Sequence, residues 1–146
     1  MTIKQILMEA NAIQINMDVT NWQEAIAIAA APLIKGGYIH ESYKNEVIKN
    51  TEEYGPYYVF GDEGLAIPHA RPDSGVIKNG FSLVLLNKPI SIKGSDSVDI
   101  LVMFGAKNSN EHIKEGLVEI VEMLDDKLKM DRLRNAKSID EVIKIL

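Results

Sequence analysis

 The chain has three histidines, and only His69 sits on a mount built to present its ring nitrogens. Pro68, Arg71 and Pro72 flank it in the run Gly64-Leu65-Ala66-Ile67-Pro68-His69-Ala70-Arg71-Pro72-Asp73-Ser74-Gly75. Each proline fixes its own φ and biases the residue before it toward extended backbone, so the imidazole stands on a stiff connection that follows a strand. Near neutral pH the uncharged ring has one bare nitrogen, and a hydrogen bond at the other selects which. His69 is therefore a candidate nucleophile, base or metal ligand, and equally a loop histidine that packs or caps.

His112, in Asn108-Ser109-Asn110-Glu111-His112, falls at the expected start of a helix, where free N–H groups favour an anion. A phosphate held there could meet both imidazoles; the plainer alternative is an exposed first-turn histidine. Arg71 suits bidentate contact with a phosphoryl group, or a surface pair with Asp73 or Glu63 that is worth little. His40 follows Gly36-Gly37 with no motif around it and reads as surface. His69, His112 and Asp73 could form a metal site, but their spacing matches no metal motif, and no resident metal or cofactor is expected.

The elements that must hold these residues follow from periodicity. Thr20 and Gln23 suggest a capping box, and Trp22, Ile26, Ala29, Ala30 and Leu33 recur at helical spacing, giving a helix from about Asn21 to Lys35. A more polar helix is expected over Glu41 to Glu53, stopped by Gly55-Pro56. The runs 57–60, 80–86 and 98–104 read as strands, the last two so apolar that both faces must be covered. Ile113, Leu117, Ile120, Val121 and Leu124 mark a helix from about Asn110 to Asp125. Ser138 and Glu141 open a short terminal helix. The fold class is thus α/β, a central mixed sheet sandwiched between helices, in one domain spanning 1–146.

Composition narrows the chemistry. Lys and Arg total 16 against 21 Asp and Glu, a net charge of -5, so no basic footprint for nucleic acid is present. Cysteine is absent, which removes disulfides, thiolate metal sites and a thiol nucleophile. The longest apolar run, Ala25 to Ile34, contains Pro32 and is too short for membrane insertion. A cytoplasmic location is expected. Phosphate-cradling glycine loops and the serine-hydrolase elbow are missing.

Gly64 to Ala70, followed by Phe81 to Ile90 and Asn110-Glu111-His112, resembles the fructose/mannitol-type enzyme IIA domains of the bacterial phosphotransferase system (PTS). Tyr54-Gly55-Pro56-Tyr57-Tyr58-Val59, His69-Ala70-Arg71-Pro72, Gly80 to Val84 and Asp131-Arg132-Leu133-Arg134 are most similar to ascorbate-specific members. The resemblance implies a mannitol-type IIA fold and a phosphoryl carrier: His69 accepts phosphate on Nε2 from the phosphocarrier HPr and passes it to a cysteine of the cognate IIB component. It also implies that His112 hydrogen-bonds the phosphoryl group. Related members carry an Arg upstream, in the stretch matching Glu46 to Thr51; that stretch has none here, and Arg71 is the candidate substitute. A regulatory, nitrogen-type phosphoacceptor, or a IIA for fructose, mannitol or galactitol, would use the same residues.

Overall fold

The computed structural model describes residues 2–107 and 111–146, the side chains of 111–113 excepted. Its central pair is β4 (Gly80–Ser91) and β5 (Ser97–Gly105), antiparallel, with Phe81 opposite Phe104, Leu83 opposite Val102 and Leu85 opposite Ile100. Alternate residues point to opposite faces of a strand, and here both sets are apolar. Phe81, Leu83, Leu85, Ile100 and Val102 pack on one side, while Val84, Leu101 and Met103 pack on the other.

Helices cover both faces, as the apolar strands require. On the first lie α1 (Ile3–Glu9), α4 (Glu111–Leu124), α5 (Lys127–Arg134) and α6 (Ile139–Ile145); on the second lie α2 (Trp22–Lys35) and α3 (Glu41–Tyr54). Three shorter strands complete the sheet: β1 (Ile13–Met17), β2 (Val59–Phe60) and β3 (Leu65–Ala66). The order is β1-β4-β5-β3-β2, with β1 parallel to β4, β3 parallel to β5 and β2 antiparallel to β3. The expected mixed sheet between helices is what forms.

Several local expectations need correction. The cap of α2 is Asn21, whose side chain accepts from Glu24 N–H at 2.8 Å, while the Thr20 hydroxyl donates to the Glu24 carboxylate. The Thr20/Gln23 box is thus displaced by one residue. Ser138 does cap α6, but the Glu141 carboxylate accepts from Lys137 N–H. The elements α1, β1, β3 and α5 were not anticipated. Only Met130 and Leu133 of α5 are buried, too few to make a readable stripe. For α1 a signal existed: Thr2 and Gln5 form a reciprocal capping box.

Candidate functional site

Helix α3 is the platform for the site. Its Tyr43, Val47 and Thr51, spaced four apart, are fully buried against the sheet. Asn50 and Tyr54 line a shallow depression of about 370 Å³ with Tyr57, His69, Ala70 and Arg71. The helix ends at Gly55, whose φ of 85° few side chains tolerate. The chain then turns through Tyr57 and Tyr58 into β2, and returns along β3 to Pro68 and His69. The segment after His69 folds back on the start of α3: Gly75 has a φ of 128°, and a Cβ on it would press on Ser42 Oγ and lie 3.1 Å from Tyr43 N. Glycine is required by that approach.

His69 is half-buried at the carboxyl ends of the parallel strands β3 and β5. Its Nδ1 lies 2.8 Å from the Ile67 carbonyl oxygen. A carbonyl only accepts, so Nδ1 carries the hydrogen and Nε2 of the neutral ring is bare. The ring stacks on Phe104, centroids 4.9 Å apart and planes at 21°, and meets the edge of Tyr57 at 5.4 Å. Phe104 N–H in turn donates to the Pro68 carbonyl at 3.3 Å.

Tyrosine hydroxyls surround this ring. Tyr57 donates to the His69 carbonyl. The Tyr43 hydroxyl accepts from Ala70 N–H at 3.0 Å and donates to the Phe104 carbonyl at 2.7 Å, with the Ala70 carbonyl farther off at 3.3 Å. Burial pushes Tyr43 up to about 12, against the lowering effect of its hydrogen bond with Ala70. Burial likewise raises Tyr57, opposed by a hydrogen bond with Asn50 and reinforced by the charge of Glu46. Both hydroxyls therefore remain donors at neutral pH.

Arg71 is exposed beside His69 in the same depression, and among the described residues it is not in an ion pair with Asp73 or Glu63. The Glu63 carbonyl instead accepts from Arg134, whose Nε contacts both oxygens of Asp99 at 2.9 Å. Asp73 is exposed on a 3-10 turn, and His40 is exposed at the start of α3. The His112 side chain lies outside the described residues. Its backbone begins α4, which the chain enters at Glu111 shortly after leaving β5 at Gly105, the sheet end that carries His69. Among the described residues no group of three His, Asp or Glu side chains could hold a metal ion.

Of the apolar residues nearest His69 in sequence, Leu65 and Ile67 are buried in the core and Val76 is half-buried, so they do not form an exposed surface around it. Tyr54, Tyr57 and Phe60 provide that surface, at 76%, 47% and 41% exposure. Sequence reasoning also missed Tyr43, Asn50 and Phe104 as neighbours of His69. Phe104 belongs to an apolar run that reads as core, Tyr43 lies in the polar helix over 41–53, and nothing in their spacing points to a site. No helix among the described residues is long and apolar enough to cross a membrane.

Comparison with known proteins bears on this arrangement. Residues 6–146 match the family model described as phosphoenolpyruvate-dependent sugar phosphotransferase system, EIIA 2. The chain is 36% identical, over all of its length and 96% of the relative's, to the ascorbate-specific PTS system EIIA component of Salmonella choleraesuis. It is also similar to the mannitol-specific cryptic phosphotransferase enzyme IIA CmtB of Escherichia coli, with a TM-score of 0.84 and 29% identity over 99% of this chain and 97% of that one. A third likeness is to enzyme IIA for mannitol from Escherichia coli, solved in complex with phosphorylated enzyme IIB: TM-score 0.77, 26% identity, 93% of this chain and 94% of that one.

Proposed function

We propose that this chain, which belongs to the EIIA 2 family of the phosphoenolpyruvate-dependent sugar phosphotransferase system, carries a phosphoryl group on Nε2 of His69 between HPr and a IIB component in ascorbate uptake. The observation that carries the reading is the 2.8 Å contact from Nδ1 to the Ile67 carbonyl, which leaves Nε2 as the free nucleophile. Ascorbate rests on the 36% identity to the ascorbate-specific component, and the IIB partner on the complex known for the mannitol relative. A cytoplasmic location accompanies these partners.

In the first step the Nε2 lone pair attacks phosphorus of the phosphohistidine on HPr. The N–P bond of the donor breaks, and its electron pair returns to the donor ring. In the second, a cysteine thiolate of IIB attacks phosphorus in line and the Nε2–P bond breaks toward His69. Both transfers depend on positioning and charge stabilisation. Nδ1 keeps its proton throughout, and the Ile67 carbonyl stabilises the positive charge that the phosphorylated ring acquires. Arg71 and His112 supply donors to the phosphoryl oxygens, and no metal takes part.

Phospho-HPr, freed of enzyme I and magnesium and mixed with this chain in excess EDTA, should hand over its label, and the chain should pass it to IIB. Arg71→Ala and His112→Ala should each slow acceptance by on the order of 100-fold, the usual cost of one lost donor to a transition state. Rates near wild type in both variants would show that the pocket is misassigned, and loss of transfer under EDTA would revive a metal role. A purely regulatory phosphoacceptor would accept the label and fail to deliver it to IIB.

A further inference from the structure

The His69 carbonyl and the Ala70 N–H are the two polar ends of one peptide group, and each end is held by a different tyrosine hydroxyl: Tyr57 donates to the carbonyl and Tyr43 accepts from the N–H at 3.0 Å. The two come from separate elements, Tyr43 from the first turns of α3 and Tyr57 from the turn before β2. Tyr43 also donates to the carbonyl of Phe104, the residue whose ring stacks on the imidazole. One hydroxyl thus ties the backbone after His69 to the backbone of its stacking partner. Displacement of that peptide group would carry the His69 Cα, to which it is bonded, away from the position in which Nδ1 meets the Ile67 carbonyl.

We propose that Tyr43 and Tyr57 are positioning residues for transfer at His69, clamping the His69–Ala70 peptide group so that Nδ1 stays on the Ile67 carbonyl and Nε2 faces the depression. Neither hydroxyl is assigned a contact with the phosphoryl group. The inference rests on the phosphoryl-carrier reading for its effect on rate, but its effect on the ring is independent of that reading.

The test compares Tyr43→Phe, Tyr57→Phe and, as a control remote from His69, Tyr38→Phe in the full chain. Long-range proton–nitrogen correlation spectra of unphosphorylated protein report which imidazole nitrogen of His69 carries hydrogen, and phospho-HPr supplies label for the transfer rate. The wild type and Tyr38→Phe should hold hydrogen on Nδ1. Tyr43→Phe and Tyr57→Phe should show a population with hydrogen on Nε2, and transfer should slow roughly 10- to 100-fold, the scale of a small misplacement of a reacting group. If Tyr43→Phe does not fold, Tyr57→Phe decides alone, since its ring is at the surface. A wild-type tautomer and rate in Tyr57→Phe would overturn the clamp. Tautomer shifts in a chain whose wild type accepts no label would uphold the clamp and overturn the carrier reading instead.

Discussion

His69 owes its free nitrogen to a backbone carbonyl two residues upstream, and the loop that offers the carbonyl is itself held by buried hydroxyls. Tyr58 shows how completely those hydroxyls are satisfied. Thr51 Oγ donates to the Val47 carbonyl at 2.7 Å, so in its 2.7 Å contact with Tyr58 the tyrosine is the donor. The Tyr58 backbone carbonyl then accepts from Ile67 N–H at 3.0 Å, next to the segment that carries His69. Burial raises Tyr58 and Tyr43 from 10.0 to about 12. Between those values the unfolded chain has released these protons and the native chain has not, so stability is fully present below pH 10 and falls as pH rises toward 12. Each tyrosine contributes on the order of 2 kcal/mol to that fall. Urea unfolding across this range should show it, with a shallower decline in Tyr58→Phe; an identical decline in that variant would show that Tyr58 does not titrate as described.

At the scale of elements, Pro32 sits inside α2 without breaking it. Proline cannot donate to the carbonyl four residues back, which here belongs to Ile28. The Gln14 side chain, reaching across from β1, donates to that carbonyl at 2.8 Å. Gln14→Leu should therefore cost about 1 kcal/mol in urea unfolding, the worth of one such bond. In a Pro32→Ala background, where residue 32 regains its N–H, the cost should shrink; equal costs in both backgrounds would contradict the compensation. This pairing also marks what the sequence could not disclose. The helical spacing of Trp22, Ile26, Ala29 and Leu33 and the apolar runs of β4 and β5 are local patterns, legible without a structure. The role of Gln14 depends on a partner fourteen residues away, and α5 buries too few side chains to leave a pattern.

For the molecule as a whole, two apolar faces of one sheet divide the work. The face under α2 and α3 carries the platform from which Tyr43 and Thr51 support the His69 loop, and the other face is closed by α1, α4, α5 and α6. Arg134 of α5 pairs with Asp99 on β5 and donates to the Glu63 carbonyl just before β3, linking that helix to the two neighbouring strands. His69 itself was legible because its prolines and its family motif are contiguous in sequence. Its aromatic surroundings were not, since Tyr43, Tyr57 and Phe104 reach it from three separate elements. His69 alone is the proposed carrier of the phosphoryl group, and labelling with phosphoenolpyruvate, enzyme I and HPr tests that assignment. One acid-labile phosphoryl group per chain, mapped to His69 and absent from a folded His69→Ala variant, is the predicted result; label retained in that variant would contradict it.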